Sequence, residues 1–395
     1  MNFGVTTRAS CLSGPAPSAR KDHERGLSVN EIRRPTMAHV AALAGVSIAV
    51  VSYVLNGRDT EMRISQETRE AVLRAVDVLG YRLNTSAREL RTRRSQLLAL
   101  AIHDIQNPFY TTLTVAVQDQ AAAAGYDLII YNTGHQVERE LAFVNLVLRR
   151  RVDGVLASAF STGPDGFDPL VRAGVPVVAL SNVGAELHPC IDYVVNDDRT
   201  ASETAVRHLI ELGHRRIGHL AGPRSLAIGR ARLEGYRAAL AAAAIAYDAA
   251  LTVEGTLMAL GSAEAGQALL AADPPPTAIF CANDTMAVQV YLLIRQQGLR
   301  IPEDVALVGF DDVPEASRLD PSLTTVANRS DAAGAQAMQL LLERLAAPDR
   351  PGRVVERPLP LIIRGSTLGL DGTRFRPTAP LLTDGHPGVR QRVEC

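Results

Sequence analysis

From Gln96 onward, short β-branched apolar runs alternate with longer stretches of helical period. The runs LLALAI (97–102), YDLIIY (126–131), VDGVLAS (152–158), VPVVAL (175–180), RIGHLAG (216–222), TAIFCAN (277–283) and DVALVGF (304–310) lack the alternation of a strand with one wet face, so they predict buried parallel strands. Between them, apolar positions spaced three and four apart predict helices over 112–124, 138–150, 200–212, 230–243 and 285–297, several stopped by a glycine at Gly125, Gly213 or Gly298. The alternation is a repeated βαβ pattern. Residues 96 to about 365 are too many for one small sheet, so two doubly wound lobes are expected.

Upstream the period changes again, to three short helices. Residues 36–44 place Val40, Ala41 and Ala44 on one face, Gly45 permits a tight turn, and Ser47 is a good N-cap for a second helix running to Leu55. A third helix is expected from Ser65 to Gly80, with Val72, Val76 and Leu79 turned inward. Two short helices joined by a glycine turn and backed by a third make a helix-turn-helix candidate. If Val51, Val54 and Leu55 face the first helix, then Ile48, Ala49, Ser52 and Tyr53 face water. Apolar side chains at an exposed helix N-terminus suit contact with thymine methyls in a major groove, and the two hydroxyls suit bases or phosphates. The alternative is that Ile48 packs against the end of the third helix and reads nothing.

Charge sharpens this picture. The whole chain carries a net charge of −1, but the segment from Arg34 to Arg94 holds ten arginines against six acidic residues. Lys21 is the only lysine, which points to a GC-rich coding bias. Cys11, Cys190, Cys281 and Cys395 are far apart and form no CxxC pair, which argues against a disulfide scaffold and a zinc site and favours a reducing cytoplasm. No apolar run reaches membrane-spanning length, and the first 26 residues lack the apolar core of a signal peptide. Neither a phosphate-binding GxxxxGK[ST] or GxGxxG loop, nor a GxSxG elbow, nor an HExxH metal pair occurs, so a cytoplasmic enzyme on a doubly wound fold has no chemistry to run on. No catalytic residue, metal or cofactor is expected.

The stretches RPTMAHVAALAGVSIAVVSYVLNG and ISQETREAVLRAVDVLGYRLNTSARELRT resemble the DNA-binding headpiece and hinge of the lac repressor and galactose repressor family of bacterial transcription regulators. The resemblance continues through IHDIQNPFYTTL, RVDGVLAS, HLIELGHRRIGHLAGP, RLEGYRAAL, AIFCANDTMA, LRIPEDVALVGFDD, PSLTTV and IIRGST, covering about Arg34 to Thr367. It implies a small all-α helix-turn-helix headpiece (34–82), a hinge helix and linker (83–95), and a periplasmic-binding-protein-like α/β core of two doubly wound lobes that binds effector and dimerises (96–368). The outer segments, 1–33 and 369–395, read as disordered extensions.

The family also implies roles for particular residues. The recognition helix would start at Ser47 and choose bases with Ile48, Ala49 and Tyr53, with Ser52 and Asn56 completing the DNA-facing set. Val50 stands where relatives usually have a phosphate-binding Thr, and loses that hydrogen bond. In the hinge, Leu90 would wedge into the minor groove, a step costing a few kcal/mol of unstacking, beside the small Ala87. Arg88, Arg91, Arg93 and Arg94 would meet phosphates, and Leu83 replaces a usual Pro. In the cleft, Phe109 and Tyr110 would stack on a sugar or base face, while Arg232, Asn283, Asp284 and Asp311 would bind vicinal hydroxyls. Two alternatives stay open: Arg232 and Asp311 pairing structurally, and Asp284 acting as a helix cap. Leu226, Ile228 and Leu257 stand where the purine-responsive member has polar or aromatic groups, which disfavours a purine and leaves a sugar, a sugar phosphate or another small metabolite. His214 reads as a turn residue. The expected partners are double-stranded operator DNA, a small-molecule effector and a second copy of the chain; no membrane is expected. A transport-type sugar receptor is disfavoured by the headpiece.

Overall fold

The computed structural model describes residues 35–56, 63–82, 94–158, 160–182, 186–259, 261–368 and 389–391. The chain divides into two compact units, one ending at Thr85 and one beginning at Ser86.

The first unit is built from α1 (Met37–Ala44), α2 (Ile48–Leu55) and α3 (Gln66–Leu79). Gly45 follows α1 at φ 69°, a left-handed conformation that glycine adopts without a Cβ penalty. The turn it makes sets α1 and α2 at 104° to each other, within the range of a helix-turn-helix. Ser47 caps α2 by accepting from the Val50 amide at 3.3 Å, and Ser65 caps α3 by accepting from the Thr68 amide at 3.2 Å. The core is Val40, Ala41, Val51, Val54, Val72, Ala75 and Tyr81. Leu55, Val76 and Leu79 pack partly against it. A fully buried valine is worth about 1.5–3 kcal/mol, so this small unit depends on a handful of side chains.

The second unit contains two sheets. The first is ordered β13-β11-β5-β4-β3-β1-β2, from β1 (Leu97–Ile102), β2 (Asp127–Asn132), β3 (Gly154–Ser158), β4 (Val177–Asn182), β5 (Asp192–Asn196), β11 (Arg353–Arg357) and β13 (Val389–Gln391). The second is ordered β12-β10-β9-β8-β6-β7, from β6 (Ile217–Ala221), β7 (Thr252–Glu254), β8 (Ala278–Cys281), β9 (Ala306–Asp311), β10 (Thr324–Ala327) and β12 (Leu361–Ile362). All the pairings are parallel except β10 with β12 and β11 with β13. Each sheet has buried apolar clusters on both faces, as doubly wound sheets require.

All seven expected strands form. The short strands β5, β7, β10, β11, β12 and β13 were not expected, because runs such as DYVVN, TTVA and RVVER carry polar residues that break the apolar signal. The helix α4 (Pro108–Ala123) begins four residues before the expected start, since Asn107 accepts from the Phe109 amide at 3.0 Å and Pro108 occupies the first helical position. The helices α5 (Val137–Arg150), α7 (Asp198–Glu211), α8 (Ala227–Ala242) and α10 (Asp284–Gln296) lie near their expected places, whereas α6 (Asp168–Arg172), α9 (Ser262–Leu270), α11 (Pro314–Arg318) and α12 (Ser330–Ala346) are additional. The first half of α12 buries only Ser330, Ala333, Gly334 and Ala337, and Met338, Leu340 and Leu341 follow close together, so large apolar residues mark no period along its first turns.

Up to β12 the chain passes between the lobes three times, after β5, after β10 and after β11, and β13 returns to the first sheet. Wholly buried Asp192, at the start of β5, ties the stretch from α12 to β11, between the second and third of these crossings, to the first sheet. It accepts from Arg344 at 2.9 Å, from Arg350 and from the Arg353 amide at 2.8 Å. Cys281 is a buried free thiol, whereas Cys190 is disulfide-bonded, a pairing that the wide cysteine spacing did not suggest. Among the described residues no single helix is long and apolar enough to cross a membrane.

Candidate functional site

The first unit presents the outer surface of α2. Val51 and Val54 are buried, and on the opposite side Ile48 is 51 % exposed. Ala49 is exposed beside it, and Ser52 and Tyr53 are half-buried. Ile48 therefore does not pack against the end of α3. Val50 is half-buried and rests on the headpiece core, and its amide serves the Ser47 cap. Asn56 follows α2 and donates from Nδ2 to the Ser52 carbonyl at 2.6 Å, which holds both side chains in place at the end of the helix. The result is a short, uncharged ridge led by an isoleucine.

In the second unit a cavity of about 690 Å3 lies between the two lobes. Strand ends and the helix starts after them supply its walls, as the open-sheet rule requires. The first lobe contributes Phe109, Tyr110, Phe160 and Phe167. The Tyr110 hydroxyl meets the Ser158 side chain, and burial pushes its pKa up. The second lobe contributes an apolar wall of Leu226, Ile228, Leu257 and Met258.

The polar floor is made by Arg232, Asp311, Asn328 and Asn196. Arg232 is fully buried on α8. Its Nε donates to Asp198 Oδ1 at 2.8 Å, Nη1 donates to the Ala282 carbonyl, and the guanidinium stacks 3.6 Å above the Phe310 ring. Nη2 lies 2.7 Å from Asp198 Oδ1 and 3.6 Å from Asp311 Oδ1, yet makes no well-formed hydrogen bond. Asp311 ends β9 at φ 113°. Burial pushes its carboxyl up to about 6, against the pull of the Arg232 guanidinium.

These floor residues are also attached to the crossings between lobes. Asp198, the partner of Arg232, begins α7 just after the first crossing. Asn328, in the second crossing, donates to Asp311 at 3.3 Å and accepts from Asn196 at 3.1 Å. Arg357, at the third, donates to the Asn328 and Arg329 carbonyls at 2.9 and 2.8 Å. A ligand on the floor thus touches groups bonded to the three crossings that follow β5, β10 and β11.

Comparison with known proteins places these two units together. Residues 36–84 match the family described as bacterial regulatory proteins, lacI family, and residues 206–367 match a periplasmic binding protein-like domain. The HTH-type transcriptional repressor CytR of Escherichia coli (strain K12) is 33 % identical over 335 residues, covering 85 % of this chain and 97 % of the relative. The chain belongs to the lacI family of bacterial regulatory proteins. Among solved structures, the lac repressor dimer bound to operator and the anti-inducer ONPF shares 27 % identity at a TM-score of 0.71, covering 85 % of this chain and 99 % of that one. The complex of the transcriptional regulator CelR with cellobiose shares 33 % identity at a TM-score of 0.63, covering 84 % of this chain and 100 % of that one. As a lacI-family chain it is a ligand-responsive, DNA-binding transcription regulator, and the enzyme reading falls away.

Within this lacI-family frame the residues expected from sequence separate. Phe109, Tyr110, Arg232, Asn283 and Asp311 line the cavity, and so do Leu226, Ile228 and Leu257. Asn283 has both ends of its amide engaged, Oδ1 capping α10 at the Met286 amide and Nδ2 donating to the Leu257 carbonyl, so it positions the apolar wall. Asp284 needs correcting: it is fully buried and absent from the cavity wall, and Asn283, not Asp284, is the helix cap. The Asp284 carboxylate instead accepts from Thr325 Oγ1 at 2.7 Å and from the Val313 amide at 3.0 Å, which holds the turn that follows Asp311. Arg94 is exposed, and its guanidinium donates to the Leu345 carbonyl at 3.1 Å. Ala87, Arg88, Leu90 and Arg91 lie outside the described residues, as does Arg93. His214 sits in a turn and shares a hydrogen bond with Thr277 at 3.0 Å. Asp198, Asn196 and Asn328 were missed, since only the fold brings them to Arg232 and Asp311.

Proposed function

We propose that the chain is a cytoplasmic repressor that binds a pseudo-palindromic operator as a dimer and changes its hold on that operator when a small neutral sugar fills the interlobe cavity. Ser47, Ile48, Ala49, Val50, Ser52, Tyr53 and Asn56 form the base-reading and phosphate-facing end of α2. The exposed Ile48 supports this reading, because an isolated helix gains nothing by leaving it in water. In the cleft, Tyr110 and Phe109 stack against a ring, Arg232 donates to hydroxyl oxygens, and Asp311 accepts from hydroxyl hydrogens.

The observation that carries the effector class is the charge of the floor. The floor guanidinium, Arg232, is neutralised by Asp198 and faces Asp311, so a phosphate set on the floor would meet two carboxylates, while the cavity's other described guanidiniums, Arg139 and Arg230, are exposed to water. The apolar wall likewise leaves the polar edge of a purine without partners. A thermal-shift panel of neutral mono- and disaccharides, their phosphates and purines tests this. At a hundredfold excess over Kd a true effector stabilises the core by about 2.7 kcal/mol, and a neutral sugar is expected to be the compound that does so. A sugar phosphate or purine giving the largest shift would overturn the assignment.

A further inference from the structure

The three arginines that close α5 play no part in the cleft or the headpiece. Arg149, Arg150 and Arg151 are all exposed, and none forms an ion pair with any described residue; Arg149 Nε donates only to the Asn145 carbonyl. Three cations at a helix C-terminus gain a little from the helix dipole, which accounts for tolerance but not for a run of three.

Their position is more telling. Two residues after Arg151, Asp153 accepts from the Ser95 amide at 2.8 Å, the Ser95 hydroxyl at 2.9 Å and the Gln96 amide at 2.9 Å. The segment by which the chain enters the core from the linker is therefore clamped to the loop that carries the arginines. Arg94 and Arg151 line the same surface cavity of about 380 Å3 with Asp153, Leu345 and Pro348. The arginines thus sit beside the point where the chain enters the core at Arg94 and Ser95. Eleven residues separate Arg82 from Arg94, a tether of about 40 Å at most.

We propose that Arg149, Arg150 and Arg151 bind backbone phosphates of the same duplex outside the sequence read by the headpieces. The occupant follows from charge complementarity and reach. A DNA duplex carries one negative charge per about 1.7 Å of axis, so a dense polyanion lies within the tether whenever the headpiece is bound. The contacts add affinity without sequence preference, because guanidinium–phosphate pairs read no bases.

The test uses the full chain, a minimal operator selected from a random pool, and the same operator extended by ten random base pairs on each side. The variant carries Arg149→Gln, Arg150→Gln and Arg151→Gln, with thermal melting as the check on folding. The expected result is that the variant matches the parent on the minimal duplex and binds the extended duplex at least tenfold more weakly. On the extended duplex the slope of log K against log salt should fall by about 2–3, close to 0.9 for each phosphate lost. Equal binding of parent and variant to the extended duplex would overturn the proposal. So would an equal loss on both duplexes, which would place the effect within the operator contact itself.

Discussion

At the residue scale the cleft depends on the protonation of one carboxyl group. Asp311 has its pKa raised from 3.8 to about 6 by burial, so the folded protein favours its neutral form. Its contribution to folding stability is therefore fully present below about pH 4, declines as pH rises to about 6, and is level above that. Effector binding runs the other way, because a sugar hydroxyl donates to the carboxylate. Calorimetric titration of a neutral sugar between pH 5 and 7.5 should show affinity falling below about pH 6, towards tenfold per unit, with no such step in Asp311→Asn. A flat profile in the parent would mean that Asp311 does not accept from the ligand. The importance of Asp311 was legible from its place at a strand end. Its supports were not: Asn328 and Asp284 are polar residues whose meaning comes only from partners distant in sequence.

At the element scale α2 is held from inside and left open outside. Ser47, Val51 and Val54 fix the helix, while Ile48 and Ala49 bear none of its packing. Substituting Ile48 by Ala should leave the melting of the headpiece within about 0.5 kcal/mol and change the base preferred at one position of each half-site by about 1–3 kcal/mol. Selection of binding sites by parent and variant checks both; an unchanged consensus would remove Ile48 from the reading surface. This element was read well from sequence because its period is short-range and its caps are local. The same holds for the strands with uniform apolar runs. It fails for α12, where small residues line the first half of the buried face, and for β5, where a buried aspartate is satisfied by three arginines from elsewhere in the chain. Gly309 shows a constraint of the same kind: a Cβ there would lie 2.0 Å from Asp284 Oδ1, so β9 carries glycine where a carboxylate must pass.

At the scale of the whole chain, the crossings after β5, β10 and β11 form a single bonded set with the cavity floor. The two lobes were foreseen from the number of βαβ units. Their interlacing was not, because α12 returns to the first sheet, β11 joins that sheet and β12 joins the second, an order that no local pattern encodes. This interlacing gives a ligand on Arg232 and Asp311 a mechanical hold on Asn196, Asn328 and Arg357. An effector can act on DNA binding only through its different affinity for the operator-competent and operator-incompetent states, and the coupling must be reciprocal. The decisive measurement is operator affinity by fluorescence anisotropy with and without a saturating neutral sugar, paired with sugar affinity in the presence and absence of operator. The account predicts a shift of about 5- to 150-fold in operator Kd, matched by the same factor in sugar Kd; tight sugar binding that leaves the operator Kd unmoved would contradict it.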